Sequence, residues 1–493
     1  MMSTRPNVIY VLADDMGYGD VSAFNEGAVF KTPNFDEMCE NGLAFTDAHA
    51  TSAVCTPSRY GILTGRYNWR SRLKCGVMSG YSSPLIEDDR MTVGHLFQKN
   101  GYTTAAIGKW HLGMEFAKDG TFMELPEFET CRGVDYSKKI EKSPVTRGFD
   151  YYYGISASLD MAPYIYIEND RFTMMPDHET EDSGKRFWRK GPTAPDFKHE
   201  EVLPRLTDKV LKKIEEYKDR PFFIYFPMPA PHTPILPSEK FMGKSGTNEY
   251  GDFVLMCDDV IGQITDKLKE LNLYENTIVI FTSDNGCSPM ADLEELLSAG
   301  HNPNYIFRGH KADIYEGGHR IPLIVRWPEK IPGGNQCDHI VCLSDFMATM
   351  ADYLGDKLPQ EAAVDSVSNL PLWLDADAPS VREDVVHQSV DGSLSIRKGK
   401  YKLEMCPGSG GWSYPASGEE TDDMPHFQLY DLENDIREQT NIIELHPAIV
   451  TYLKGILADY IRRGRSTPGA VQPNNGEEIW ETIKWLEDVP TLG

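Results

Sequence analysis

Several features that mark particular classes of protein are missing from this sequence of 493 residues. No apolar run is long enough to span a bilayer, which excludes a transmembrane helix. The nine cysteines include no Cys-x-x-Cys pair, which argues against a zinc site of the usual spacing. There is also no Asn-x-Ser/Thr glycosylation acceptor and no signal peptide. Together these absences predict a protein of the reducing cytoplasm, unless a leader has been removed.

Positive charge is also scarce in this chain. Lysine and arginine total 49 against 75 aspartates and glutamates, and the formal net charge is −26. An acidic surface repels nucleic acids and anionic membranes, so we expect neither as a partner. If the substrate is an anion, the chain must gather cations locally in a pocket. The hydrophobic fraction of 40% is ordinary for a globular protein with a sizeable core.

Apolar strands and amphipathic helices alternate along the first part of the chain. Residues 7–13 form an apolar run that ends at two aspartates. Helix-then-strand patterns recur at residues 92–109, 206–226 and 252–286, and residues 321–328 add one more strand. This alternation predicts an α/β fold, in which a large mixed, mostly parallel sheet is sandwiched by helices.

The character of the sequence changes near residue 375. Residues 375–493 contain apparent antiparallel strands followed by one long amphipathic helix. We therefore predict an N-terminal catalytic domain at residues 1–374 and a smaller C-terminal α+β domain with an antiparallel sheet. Residues 115–205 are long, polar and aromatic, and we expect them to form insertions over the sheet edge.

Oxygen-bearing side chains follow two of the predicted strands. Asp14 and Asp15 end the first strand, and Asp284 and Asn285 end a later one. Ligands of such sheets bind beyond the carboxyl ends of the strands. Three carboxylates and an amide oxygen suit a hard cation such as Ca²⁺ or Mg²⁺. Each pair alone reads equally well as a helix cap or an Asx turn.

Basic side chains also occur at or near the ends of predicted strands. Lys109 and His111 are two residues apart, so an extended backbone would point both to one face. His232 is held between prolines, and glycines near Lys311 permit close backbone approach. Each of the four could also be an ordinary structural residue.

Cys55, in the stretch VCTPSRYGILTG at residues 54–65, has three possible roles. It could be a buried filler, since cysteine is among the most buried residue types. It could be a catalytic thiolate, because a helix N-terminus and Arg59 would lower its pKa. A zinc ligand is the third role, but no other cysteine lies at ligand spacing.

Six motifs in one order resemble those of a known family. They are the Asp-Asp strand end, CTPSR, GKWHLG, a proline-flanked histidine, SDNG, and a lysine before EGG, all within residues 5–330. This order resembles the type I sulfatases, the formylglycine-dependent members of the alkaline phosphatase superfamily. The resemblance implies an alkaline-phosphatase-like α/β fold and hydrolysis of sulfate monoesters.

The resemblance gives Cys55 a fourth role, as the precursor of formylglycine. A maturation enzyme would recognise the CTPSR motif, including Pro57 and Arg59, and oxidise the cysteine to the aldehyde. In the hydrated aldehyde, one hydroxyl attacks sulfur and expels the alcohol, and the second drives release of sulfate. A serine at this position would stay trapped as a sulfate ester, because it has no second oxygen.

The remaining roles also follow from the resemblance. A Ca²⁺ ion, with Mg²⁺ as the alternative, would be bound by Asp14, Asp15, the modified Cys55, Asp284 and Asn285. Arg59 and Lys109 would hold the formylglycine oxygens, and His111 would be the base of the release step. His232 and Lys311 would bind the sulfate, and one of them would protonate the leaving oxygen.

The resemblance also implies a small sulfated molecule as the substrate, and the aromatic segment at residues 148–171 indicates a sugar. We expect exo-acting hydrolysis of galactose- or N-acetylgalactosamine-type sulfates, with Ser158 near the sulfate. Phenolic or steroid sulfates are the first alternative. A phosphodiesterase or phosphonate monoester hydrolase on the same fold and a non-catalytic sulfoglycan-binding protein are the others.

Overall fold

The computed structural model describes residues 5–123, 132–418, 421 and 423–490. A ten-stranded sheet forms its centre. In spatial order the strands are Asn335–Cys337, Leu43–Phe45, Leu323–Arg326, Thr277–Ser283, Asn7–Asp14, Phe222–Pro231, Thr103–Lys109, Tyr151–Ile155, Ile167–Glu168 and Arg171–Phe172.

Five neighbouring strands, from Thr277–Ser283 to Tyr151–Ile155 in that order, run parallel. The strand Asn7–Asp14 lies between Thr277–Ser283 and Phe222–Pro231 and is buried along its whole length, as its continuous apolar run requires. The strand Leu323–Arg326 is antiparallel to its neighbour. The sheet is therefore mixed and mostly parallel, and the α/β prediction is confirmed.

Helices cover both faces of this sheet. One face carries Pro33–Glu40, Val202–Tyr217 and Glu249–Glu270, and the other carries Cys55–Thr64, Val93–Lys99 and Phe346–Leu354. The helix Val202–Tyr217 buries an apolar stripe made of Leu206, Val210, Ile214 and Tyr217. Three short helices complete the set, Leu293–Ser298, Glu316–His319 and Leu370–Leu374.

The C-terminal part has a separate antiparallel sheet, as predicted. Its strands are Asp384–Gln388, Leu394–Lys398, Tyr401–Glu404 and Gln428–Asp431. The helix Pro447–Arg463 packs on this sheet through Leu453, Leu457 and Ile461. The domain boundary between residues 374 and 375 stays a prediction.

The segment at residues 115–205 differs from our expectation. Its strand Tyr151–Ile155 is part of the parallel core, paired with Thr103–Lys109, and two short strands continue the sheet beyond it. We had assigned these tyrosines to sugar stacking, although tyrosine is also a strong strand former. Outside the central sheet the segment forms two antiparallel ribbons, His178–Asp182 with Trp188–Thr193 and Lys118–Met123 with Arg132–Val134. One further short pair joins Ala48–His49 to Val341–Cys342.

The cysteines within the described ranges are free thiols. Cys131 lies outside those ranges. Across the same ranges, no helix combines the length and the apolar character that crossing a bilayer requires.

Candidate active site

The predicted polar residues meet at one edge of the central sheet. Asp14 and Lys109 end their strands, Asp284 follows the strand that ends at Ser283, and His232 follows the one that ends at Pro231. Because these strands are parallel neighbours, their carboxyl ends lie side by side. The topology thus gathers residues that are far apart in the sequence.

Two buried ion pairs form the floor of this site. The Nζ atom of Lys109 lies 2.6 Å from Oδ2 of Asp14. Arg59 donates through Nε and Nη2 to Oδ2 of Asp284, at 3.0 and 2.7 Å. Burial opposes ionisation of Asp14, but the charges of Lys109 and then of His232 and Arg59 hold its pKa well below the usual range. Burial, followed by the charge of Asp14, raises the pKa of Asp284 to about 6.

A third group of contacts forms the wall above this floor. The Nζ atom of Lys311 lies 2.7 Å from Oδ2 of Asp15, and Nε2 of His232 lies 3.5 Å from the same oxygen. The hydroxyl of Ser158 accepts from Nζ of Lys109 at 3.2 Å and lies 3.2 Å from Nδ1 of His232. Burial, followed by the charge of Lys311, lowers the pKa of His232.

Cys55 is the first residue of a buried helix that ends at Thr64. Gly65 follows with a left-handed φ of 62° and terminates that helix. Burial raises the pKa of the Cys55 thiol, while Lys109 and Lys311 oppose the increase. Desolvation thus disfavours the thiolate form of the unmodified residue, and the catalytic-thiolate alternative stays a prediction.

His111 is held in one tautomer by a contact that sequence reasoning missed. Its Nε2–H donates to the carbonyl of Met78 at 2.7 Å, which leaves Nδ1 as the acceptor. That Nδ1 is buried and has no hydrogen-bond partner among the described residues. Burial, followed by the charge of Lys109, lowers the pKa of His111. The hydroxyl of Thr56 also fixes the His111 carbonyl at 3.0 Å, and neither of these backbone-directed contacts leaves a motif in the sequence.

Left-handed backbone conformations occur at or next to the proposed site residues. Asp15 has a φ of 65°, His111 a φ of 57°, and Ala312, which follows Lys311, a φ of 82°. Such values are uncommon for residues other than glycine and persist where the surrounding structure imposes them. These unfavourable backbone conformations are typical of functional sites, where the surrounding structure fixes the positions of the side chains.

Two buried oxygens in this site suit a cation. Within residues 5–123 and 132–418, Oδ1 of Asp14 and Oδ1 of Asn285 are buried and accept no hydrogen bond. Asn285 Nδ2 donates to Asp15 at 2.7 Å, which turns its oxygen away from that carboxylate. Asp14, Asp15 and His232 have potential ligand atoms within 4.8 Å of one another. A carboxylate and amide set with unsatisfied oxygens fits a hard divalent ion.

A second buried cluster lies away from this site, against the C-terminal sheet. Nε2 of His319 lies 3.1 Å from both Nζ of Lys402 and the carbonyl oxygen of Ile314. Its Nδ1 faces Nδ1 of His49 at 3.1 Å. His49 in turn donates through Nε2 to Asp47 at 2.8 Å. The rings of His319 and His387 are stacked with centroids 3.6 Å apart. His319 thus connects its helix, Glu316–His319, to Lys402 in the C-terminal sheet.

The fold and the site define the class of this protein. Its strand ends gather buried carboxylates beside lysine, arginine and histidine side chains, an arrangement that can bind a cation and an anion together and suits the hydrolysis of anionic esters. A family model described as Sulfatase matches residues 6–356. The chain belongs to the sulfatase family, within the alkaline phosphatase superfamily, and it is a hydrolase of sulfate esters.

Individual relatives agree with this assignment. The chain is 35% identical to an N-acetylgalactosamine-6-O-sulfatase of Bacteroides thetaiotaomicron, over 92% of this chain and 93% of the relative. It is 30% identical to human steryl-sulfatase, over 78% of this chain and 72% of that protein. A solved sulfatase structure from work on glycosaminoglycan metabolism by Bacteroides thetaiotaomicron superposes with a TM-score of 0.81 at 34% identity, covering 92% of this chain and 99% of that one.

Proposed function

We propose that the protein is an exo-acting sulfatase for sugars of the galactose or N-acetylgalactosamine type. Catalysis would use formylglycine made from Cys55 and a bound Ca²⁺ ion, with Mg²⁺ as the alternative. The observation that carries the proposal is that the cationic side chains and two buried oxygens without hydrogen bonds meet at one sheet edge. The buried Cys55 thiol lies within electrostatic range of Lys109, Lys311, Asp14 and Asp284. The 35% identity to an N-acetylgalactosamine-6-O-sulfatase supports the sugar class.

The acidic end of the pocket would hold the metal. Asp14, Asp15, Asp284 and Asn285 would bind it together with the modified Cys55. When bound, the cation would polarise the sulfate oxygens and lower the pKa of the nucleophile. Formylglycine would supply a hydrated aldehyde whose two hydroxyls serve attack on sulfur and release of sulfate.

The basic side chains would orient the nucleophile and move protons. Arg59 and Lys109 are fixed by buried aspartates, so their positive charges would face the oxygens at position 55 without needing to reorganise. The unpartnered Nδ1 of His111 would accept the proton in the release step, because its Nε2 is committed to Met78.

The opposite wall would bind the sulfate group and the leaving oxygen. Lys311 would contact sulfate oxygens, and His232 would donate a proton to the leaving alcohol. Ser158 would position His232, since its hydroxyl lies between that ring and Lys109. The N-terminal 374 residues would thus form the catalytic domain, with residues 375–493 as a supporting subdomain.

The proposal is tested by co-expression with a maturation enzyme, followed by intact-mass measurement and kinetics. We expect a mass shift that maps the aldehyde to Cys55 and release of sulfate from N-acetylgalactosamine 6-sulfate or galactose 6-sulfate. Sulfated oligosaccharides should lose sulfate from a terminal unit first. Activity confined to phenolic or steroid sulfates would overturn the sugar assignment, and an aldehyde-bearing enzyme without any turnover would overturn the mechanism.

A further inference from the structure

Asp160 has an unsatisfied carboxylate oxygen beside the proposed sulfate site. The residue is 8% exposed, and its Oδ1 is buried without a hydrogen-bond partner in the part of the chain that the structure describes. It lies two residues after Ser158, in a turn closed by the Met161 N–H donating to the Ser158 carbonyl at 3.0 Å. A buried acceptor of this kind calls for a donor from outside the chain.

The surroundings of Asp160 keep its carboxyl group ionised and close to the site. Burial opposes ionisation, but the charges of His232, Arg189 and Lys109 together lower the pKa of Asp160. Two of these three side chains, His232 and Lys109, are those that contact the Ser158 hydroxyl. The carboxylate is therefore within electrostatic range of the place where the sulfate group would sit.

Arg189 holds Asp160 from the other side. Its backbone N–H donates to the Asp160 carbonyl at 3.1 Å, and its Nη1 donates to the same carbonyl at 3.2 Å and to Oδ2. The side chain of Arg189 is 33% exposed, whereas that of Asp160 is 11% exposed. Arg189, in the strand Trp188–Thr193, donates to Oδ2 of Asp160 and leaves Oδ1 as the open acceptor. The partly accessible guanidinium of Arg189 therefore lies beside the Asp160 carboxylate.

We propose that Asp160 and Arg189 form a sugar-hydroxyl subsite, in which Oδ1 of Asp160 accepts a hydroxyl of the ring that carries the sulfate ester. This inference rests on the proposed function and extends it to the recognition of the alcohol part of the substrate. The pair thereby makes the site selective for esters of polyhydroxylated alcohols. An aryl sulfate has no hydroxyl to offer, so it would leave Oδ1 unsatisfied.

The test compares Asp160→Asn with the wild-type matured enzyme on N-acetylgalactosamine 6-sulfate and on phenyl sulfate. Loss of a hydrogen bond to a buried charged acceptor predicts a fall of about 10- to 100-fold in kcat/KM for the sugar sulfate. For phenyl sulfate we expect a change of less than about threefold, since that ester makes no such bond. Arg189→Met should show the same selective loss.

Asp196→Asn is the matched control. Asp196 also pairs with an arginine, Arg205 at 2.7 Å, and its Oδ1 is also buried without a hydrogen-bond partner. Among the residues that the structure describes, no hydrogen bond or ion pair joins Asp196 to the proposed active site. Asp196→Asn should leave kcat/KM unchanged for both the sugar sulfate and phenyl sulfate. An equal loss on both esters in Asp160→Asn, or no loss on either, would overturn the subsite while leaving the proposed function intact. Absence of turnover of both esters by the matured wild-type enzyme would overturn the proposed function and the subsite together.

Discussion

The ammonium group of Lys109 and Oδ2 of Asp14 lie 2.6 Å apart, and both side chains are fully excluded from solvent. A buried pair of this kind has a large desolvation cost, which only close contact and further hydrogen bonds can offset. Asp14 also retains a second oxygen that accepts no hydrogen bond from the described residues. The pair and this open oxygen support the proposed roles of Lys109 and Asp14 in the active site.

Removing Lys109 should cost stability as well as activity. Lys109→Met leaves Asp14 as a buried charge without its ammonium partner, so we expect a loss of about 3–5 kcal/mol in the free energy of unfolding. Denaturant unfolding monitored by circular dichroism measures this change. Lys99→Met is the matched control, because Lys99 also lies 2.7 Å from an aspartate but is 55% exposed, and it should cost at most about 1 kcal/mol. An equal loss of unfolding free energy in Lys109→Met and Lys99→Met would contradict the importance of the buried Lys109–Asp14 pair.

Asn285→Ala should weaken binding of the cation. The variant removes one of the two unsatisfied oxygens, so a given Ca²⁺ concentration should raise the melting temperature less than it does in the wild type. Calorimetry with and without chelator measures this difference, and elemental analysis should show less bound calcium. Asn441→Ala is the control, since Asn441 caps backbone N–H groups in the C-terminal part. An unchanged calcium response in Asn285→Ala would remove this residue from the metal site.

Replacing Cys55 by alanine or serine should abolish turnover. Cys55→Ala removes the precursor of formylglycine, and we expect kcat to fall by at least about 10³-fold. Cys55→Ser should also fail to turn over, and mass spectrometry should detect any sulfate ester trapped on the serine. Cys75→Ser, at an exposed thiol, should retain wild-type activity after the same maturation. Steady-state turnover by Cys55→Ala would contradict the proposed role.

Acid should destabilise the protein through its second buried cluster. Burial is the main cause that lowers the pKa of His49, His319 and His387 in the folded state, below the value of about 6.5 that they regain on unfolding. The unfolded chain then binds more protons, so the stabilisation is complete above about pH 6.5 and is lost as the pH falls below it. Each histidine adds a slope of up to about 1.4 kcal/mol per pH unit.

His387→Phe tests this explanation, because it keeps a ring against His319 and removes one titrating group. Between pH 6.5 and pH 5, the dependence of the unfolding free energy on pH should become shallower by up to about 1.4 kcal/mol per unit. His178→Phe is the control, since His178 is 48% exposed and lies outside the cluster. Equal slopes in wild type and His387→Phe would show that the cluster does not govern acid stability.

The sequence indicated the layers of the fold because its apolar periodicity is strong. The stripe Leu206, Val210, Ile214 and Tyr217 is buried as its helical spacing required, and the strand after it joins the central sheet. The strand Tyr151–Ile155 was missed, because a run of aromatic residues does not distinguish a sheet from a ligand-binding surface.

Site residues whose side chains belong to a sequence motif could be predicted from the sequence. Contacts made by backbone atoms could not. Asp14, Lys109 and Lys311 were all found from sequence, and they lie together. The Met78 carbonyl, which sets the tautomer of His111, has no sequence signal. The unsatisfied oxygen of Asp160 likewise emerges only from the three-dimensional packing.

The most direct test of the central claim compares two esters of one alcohol. The matured enzyme is given the sulfate and the phosphate monoester of N-acetylgalactosamine at C6, and kcat/KM is measured for each with calcium present. We predict that the sulfate ester is hydrolysed at the higher kcat/KM, and that chelation of calcium abolishes the reaction. Dominant hydrolysis of the phosphate ester would contradict the account.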